Sequence, residues 1–321
     1  MTRICITQLG RIGDMILLTP AIGAIASEFP DASINVIAGR HNYEIVEGNP
    51  RVNNIIIFDK SPTRLPGTIV SLRREKYDYY IDPKDHYSTE SRIIVRLIHA
   101  GEKIGYNPPG RKNFDISIPG EEDNRGLHIV ERHFRALFPL GIDMPAQLPR
   151  PELFPDADSE EYAEHFYEST GKNLIIINIS ASQPKKMWPP EKWIEFIRRI
   201  DTGDAGLALS FAPDEATAAG EIAAACDSVA VFRSRSMADV ISLIKRCRLL
   251  ISPDTSLVHV AAAFDRPLVA MFAGLEDFNR KFMPLCSRSE LVYAEPGVPG
   301  IGGISVAALA GAYEKIAPDV L

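Results

Sequence analysis

One local design recurs along this chain: a short apolar run, a polar loop, then a segment of helical spacing. Its fullest instance spans Arg248 to Phe272. Arg248-Leu-Leu-Ile251 reads as a buried strand, and Leu268 to Phe272 as another. Asp254 and Thr255 stand where a helix should begin, and both are good N-cap types. Behind them Leu257, Val258, Ala261 and Ala262 keep helical spacing. Strands alternating with helices mean a parallel, doubly wound sheet. Such sheets bind ligands at the carboxyl ends of their strands, where a helix start offers free N–H groups to an anion. His259 lies about a turn into the helix, placed to point back toward that mouth. Each of these residues alone is as readily a cap or a core histidine as a ligand group. Together, at one junction, they favour a site.

Taken in order, the same alternation fills the chain. Strands are expected at Ile4–Thr7, Ile34–Ala38, Val52–Phe58, Tyr77–Ile81 and Lys103–Tyr106. The helical segments between and after them run from Met15 to Phe29, Thr68 to Glu75, Thr89 to Ala100 and His128 to Phe138. Pro20 falls in the first of these, so that helix is expected to start late or kink. Residues 143–157, DMPAQLPRPELFPDA, hold four prolines and no apolar period, which marks a linker. The alternation then restarts through Glu160–Ser169, Leu174–Ile179, Glu191–Ile200, Leu207–Phe211, Asp214–Ala225, Val229–Phe232 and Met237–Arg246. Val306–Ile316 is the last helix. With 321 residues, the chain suffices for two domains. They are expected at residues 1–150 and 151–321, each Rossmann-like, with a cleft between them. The last helix is left free to pack back on the first.

Charge excludes some functions. The first 150 residues carry 19 basic against 18 acidic side chains, and the rest 16 against 24. So acidic a second half is a poor nucleic-acid binder. The four cysteines have no paired spacing, which argues against a disulfide framework or a cysteine zinc site and suits a reducing cytosol. The amino terminus enters a strand-like run at once, without the pattern of a signal peptide, and no uncharged run approaches membrane-helix length. Also missing are a G-x-S-x-G elbow, an H-E-x-x-H and a metal-spaced His/Cys/Asp cluster.

Three stretches carry chemistry. Gly10-Arg-Ile-Gly-Asp14 is a glycine turn, not the dinucleotide fingerprint. It sets Asp14 at a helix mouth, where free N–H groups and the helix dipole favour negative charge. There Asp14 is either a cap or a base for a substrate hydroxyl. In Asn178-Ile-Ser-Ala-Ser-Gln-Pro-Lys-Lys-Met-Trp-Pro-Pro190, Ser180, Ser182 and Lys186 suit phosphate binding. The two prolines fit a first helical turn, and Trp188 is expected to pack beneath the loop. In Ser210-Phe-Ala-Pro-Asp-Glu215, Glu215 is as readily a helix-start acid as a ribose-binding group.

Gly10-Arg-Ile-Gly-Asp-Met-Ile-Leu-Leu-Thr-Pro20, Lys186-Met-Trp-Pro-Pro190 and Asp254-Thr-Ser-Leu-Val-His259 resemble, in order and separation, the signature blocks of the heptosyltransferases, glycosyltransferase family nine. The likeness extends over nearly the whole chain. It implies a GT-B fold and inverting transfer of heptose from ADP-heptose to the lipopolysaccharide inner core, without a metal or other cofactor. Asp14 then matches the catalytic base and Lys186 the lysine near the donor phosphates. Glu215 matches the ribose-binding acid, while Asp254, Thr255, Ser256 and His259 form the donor block, beside Ser180 and Ser182. Gly13, Lys84, Arg92 and Arg96 fall to the anionic acceptor side, with Lys103, Arg111 and Lys112 in the same basic stretch. Three departures stand out. Ser256 replaces a glycine of the family's usual Asp-Thr-Gly, Phe211-Ala-Pro213 replaces Gly-Gly-Pro, and Phe272-Ala-Gly-Leu275 replaces Phe-Gly-Pro-Thr. Other readings are a GT-B enzyme with a different sugar or acceptor, a nucleotide-sugar epimerase, and a non-catalytic nucleotide-sugar binder. The expected partners are a nucleotide sugar and an anionic glycolipid, not nucleic acid. The expected location is the cytoplasm, with peripheral contact to the inner membrane left open.

Overall fold

The computed structural model describes residues 1–171 and 173–320. The chain divides into two units, Met1–Phe154 and Pro155–Leu321. In the first unit the elements run β1 Arg3–Gln8, α1 Ile12–Glu28, β2 Ser33–Gly39, α2 Glu44–Glu47, β3 Asn54–Phe58, α3 Leu65–Arg74, β4 Lys76–Ile81, α4 Thr89–Leu97, β5 His99–Gly105, β6 Ile116–Ser117 and α5 Ile129–Arg135. The second unit begins with α6 Ala157–Thr170, β7 Leu174–Asn178, α7 Pro190–Arg199, β8 Gly206–Ser210, α8 Ala216–Ala225 and β9 Val229–Phe232. It continues with α9 Met237–Arg246, β10 Leu249–Pro253, α10 Ser256–Ala263, β11 Leu268–Phe272, α11 Glu276–Lys281, β12 Ser289–Tyr293 and α12 Val306–Val320.

Each unit holds one six-stranded sheet, ordered β3-β2-β1-β4-β5-β6 in the first and β12-β11-β10-β7-β8-β9 in the second. Every pairing within them is parallel. Parallel strands are covered by helices on both faces, so their sequences need no polar alternation. Strand β7, Leu-Ile-Ile-Ile-Asn, is buried throughout, as are β10 and β11. From β1 the chain winds outward through β2 and β3, then returns to lay β4 on the other side of β1. In the second unit β10 returns beside β7 in the same way. These reversals place a switch-point crevice at the carboxyl ends of β1 and β4, and another at those of β7 and β10.

Helix α1 begins at Ile12, earlier than the sequence suggests, and runs through Pro20. A proline at position 20 has no N–H for the carbonyl of Ile16. The Thr19 hydroxyl takes that role, donating to the Ile16 oxygen at 2.7 Å. The same Thr19 oxygen accepts from the Glu152 N–H at 2.8 Å, and Glu152 pairs with Arg51. These contacts hold residues 152–154 on the first unit, so the division falls a few residues beyond the expected 150. Helix α4 stops at Leu97, short of the expected Ala100, because Ile98 turns extended and β5 pairs with β4 from His99 onward. Helix α12 lies against α7, β11 and β12 of its own unit, with the Tyr313 hydroxyl donating to the Asp201 carbonyl at 2.8 Å.

Helix α5 is fastened to α1 by His133, which is 2% exposed and whose Nδ1 lies 3.1 Å from the Leu17 carbonyl oxygen. Burial pushes its pKa down to about 4, outweighing the bond to Leu17 that raises it. The unfolded chain takes up this proton near pH 6.5, whereas the folded chain resists it until about 4. The contribution of neutral His133 is therefore complete above about pH 6.5 and is lost progressively as pH falls toward 4. Thermal denaturation across that window should show a falling Tm. His133→Asn, which keeps an N–H near Leu17 but does not titrate, should flatten that part of the profile.

Candidate active site

At the carboxyl end of β7 the buried Asn178 ties two loops together. Its side-chain amide donates to the Ser252 hydroxyl at 2.9 Å and the Ser180 carbonyl at 3.0 Å, and its carbonyl oxygen accepts from the Ser180 N–H at 3.2 Å. Ser180 in turn accepts from the Ala212 N–H at 2.7 Å, which draws in the loop after β8. Thr255 is the N-cap of α10, its hydroxyl accepting from the Leu257 N–H at 3.2 Å. Ser256 is the first residue of that helix. The polar ends of β7, β8 and β10 are thus one hydrogen-bonded group.

Into this group the short helical turn Pro184–Lys186 delivers Lys186. Its ammonium pairs with the Asp254 carboxylate, and the Phe278 ring centre of α11 lies 5.2 Å from Nζ. The two charged side chains are only 12% and 9% exposed. That little water separates Lys186 from an ordinary surface lysine, whose ion pairs contribute almost nothing. A cation set at a helix start with little exposure to water can meet a phosphate group.

The loop bearing Lys186 is braced from beneath, as expected of Trp188. That indole is buried, packs edge-on against Trp193 at 4.9 Å, and donates to the Ile304 carbonyl at 3.1 Å. The Ile301 N–H donates to the Lys185 carbonyl at 3.0 Å. A Cβ at Gly300 would approach that carbonyl oxygen to 2.8 Å, so only glycine permits the contact. Of the other expected donor residues, Glu215 is half-buried at the end of the turn Pro213–Glu215, Ser182 is exposed and His259 is buried in α10.

In the first unit Asp14 is the third residue of α1, and its Oδ2 accepts from the Arg11 N–H at 2.8 Å. Asp14 is half-buried, as is Gly13 beside it. A Cβ on Gly10 would collide with the Asp14 carboxylate, so the glycine turn is what lets the acid fold back over the loop. Buried Asn42 fixes that turn from the end of β2. Its amide donates to the Gln8 carbonyl at 3.1 Å and the Gly10 carbonyl at 2.9 Å, and its oxygen accepts from the Gly39 N–H at 2.8 Å. Asp14 therefore caps its helix and lies over the glycine turn at the β1–β4 crevice.

The loop after β4 is anchored by a buried ion pair, Arg132 Nη1 to Asp85 Oδ2 at 2.8 Å, with Asn124 donating to the same oxygen at 3.1 Å. Lys84 and Arg92 line a small cleft there. Arg92 and Arg111 lie 5.6 and 5.7 Å from the Tyr87 ring centre. The rest of the basic stretch is not gathered in. Arg96 is exposed and outside that lining, and Lys103 donates to the Val95 carbonyl at 2.7 Å. Among the described residues, no group of three His, Cys, Asp or Glu side chains could hold a metal ion, and no helix is long and apolar enough to cross a membrane.

Two doubly wound parallel sheets, each with polar loops gathered at its switch point, are the architecture of the GT-B class. Residues 68–292 match the family model for glycosyltransferase family 9 (heptosyltransferase), and the chain belongs to that family. It is 26% identical over 282 residues to lipopolysaccharide heptosyltransferase 3 of Escherichia coli, covering 82% of this chain and 81% of the relative. Its fold matches a family 9 glycosyltransferase from Veillonella parvula with a TM-score of 0.81 at 18% identity, over 99% of this chain and 97% of the other. It also matches the E. coli heptosyltransferase WaaC, solved with ADP, with a TM-score of 0.78 at 20% identity, over 99% of each chain.

Sequence reasoning passed over Asn42, Asn178 and Ser252, although polar residues at strand ends were the available signal. Since Asn178 satisfies buried groups on two loops, Asn178→Ala should lower the unfolding free energy by about 1–3 kcal/mol in urea denaturation. Amide exchange in residues 180–189 should quicken with it.

Proposed function

We propose that this glycosyltransferase moves heptose from ADP-heptose to a sugar of the lipopolysaccharide core, with inversion and without a metal. Lys186, held at the start of α10 by Asp254, is the observation that carries the reading. A solved relative binds ADP and curated relatives are named as lipopolysaccharide heptosyltransferases, which supports an ADP-linked donor and a core acceptor. In this reading the donor diphosphate competes with Asp254 for the Lys186 ammonium and lies against the first turn of α10. Ser180, Ser182 and Thr255 stand by it, Glu215 takes the ribose hydroxyls, and His259 positions the helix. Lys84 and Arg92 face the anionic acceptor, with Arg96 at the margin.

The chemistry follows from these placements. The acceptor oxygen forms a bond to the anomeric carbon as the bond to the diphosphate oxygen breaks, and the acceptor proton passes to Asp14. One carboxylate oxygen stays fixed by the Arg11 N–H, which leaves the other for the substrate. Negative charge gathering on the leaving ADP is met by Lys186 and the α10 N–H groups, preorganised where that charge develops.

Transfer from ADP-heptose to core oligosaccharide, followed by mass spectrometry, tests this directly. Asp14→Asn keeps the bond to Arg11 and loses the base, so kcat should fall roughly 10²–10⁴-fold with donor KM unchanged. Undiminished turnover would remove Asp14 from the base role. Ser256, in place of the family's usual glycine, favours one other reading, a different sugar nucleotide. A thermal-shift panel in which UDP-sugars stabilise the protein and ADP-sugars do not would establish it.

A further inference from the structure

The loop from β7 to α7 carries Ser180, Ser182 and Lys186, and its two ends are fastened differently. At the first end the Asn178 amide donates to the Ser180 carbonyl and the Ala212 N–H to the Ser180 hydroxyl. At the far end Trp188 is buried beneath the loop and donates to the Ile304 carbonyl. Between them the chain folds on itself. The Lys186 N–H donates to the Gln183 carbonyl at 2.9 Å, and the Met187 N–H to that of Pro184 at 3.0 Å. The Met187 side chain then reaches back across the loop, where its sulfur accepts from the Ala181 N–H at 3.0 Å. Both residues are half-buried. This bond joins the residue just after Ser180 to the residue just after Lys186. It therefore closes the segment that sets where the lysine stands.

Sulfur is a weak acceptor, and a methionine ordinarily serves to fill space. A half-buried backbone N–H nevertheless needs a partner. The position beside Lys186 gives a reason for choosing a thioether. The Lys186 ammonium already pairs with Asp254 at the start of α10. A carboxylate in place of Met187 would accept the Ala181 N–H more strongly. It would also bring a second negative charge to the loop, repelling a diphosphate and competing with it for the ammonium. Leucine would fill the same space and leave the N–H without an acceptor. A thioether answers the N–H and stays neutral.

We propose that Met187 is a positioning residue for the donor diphosphate. Its sulfur closes the loop that presents Lys186, and does so without a charge that would compete for that lysine. The proposal rests on the reading of Lys186 given above and deepens it. Met187 acts through the loop and not on the reacting atoms.

Met187→Leu and Met187→Gln separate the two roles the side chain can have. Leucine keeps the apolar bulk without an acceptor, whereas glutamine has similar length and offers a neutral carbonyl oxygen. In calorimetric titration of the full chain with ADP, affinity should weaken roughly 3–10-fold in Met187→Leu. Met187→Gln should bind within about twofold of the wild type. Amide exchange at Ala181 should quicken roughly 3–10-fold in Met187→Leu and stay slow in Met187→Gln. A side chain that only packs predicts the reverse order, because leucine is the milder replacement for methionine in an apolar setting. Wild-type ADP affinity in Met187→Leu, or ADP binding by Met187→Gln no tighter than by Met187→Leu, would overturn the proposal and leave the Lys186 reading standing. A wild-type chain that does not bind ADP would remove that reading and this proposal with it.

Discussion

Everything functional in this protein follows from burying parallel strands on both faces. Strands such as β7 and β10 are dry throughout, so their backbone groups are consumed by neighbouring strands and their side chains by the core. Polar chemistry can appear only where the strands end. The doubly wound order then decides which ends matter. Where the winding reverses, adjacent loops diverge and leave a crevice. Asp14 and Asp82 border one such crevice, and Asn178, Lys186 and Asp254 the other.

Each crevice is held by buried amides and ion pairs. Asn42 fastens the glycine turn below Asp14, and Asn178 fastens the Lys186 loop to the start of α10. Such bonds matter because a reacting group displaced by an ångström loses much of its effect. The Asp85–Arg132 pair does the same for the loop after β4. Such buried pairs add little net stability over an apolar core, yet breaking one by removing a partner costs about 3–5 kcal/mol.

Much of this was legible in the sequence. The alternation of apolar runs and helical segments gave the sheet class, and the proline-rich stretch lay close to the observed division. The blocks at Asp14, Lys186 and Asp254 fell at switch points because those are the loops that such a fold leaves polar. What the sequence hid was contact at a distance. Asn178 meets Ser252 74 residues away, and Asn42 meets Gly10 across 32; no local period records either. Pro20 misled because its remedy is a neighbouring hydroxyl, Thr19, that also serves as an ordinary polar residue. The segment after β11 hid α11 and β12, since residues 273–305 carry glycines and prolines without an apolar rhythm. The basic stretch looked uniform in sequence, but only Lys84 and Arg92 of its expected acceptor residues reach the cleft.

The central claim is that Lys186, set by Asp254 at the start of α10, receives the donor's diphosphate. Calorimetric titration with ADP of the wild-type chain and of Lys186→Met measures this most directly. The expected result is binding by the wild type that weakens roughly 10–100-fold in the variant, as loss of a charged hydrogen bond to phosphate requires. Equal affinity in the two proteins, or no ADP binding by the wild type, would contradict it.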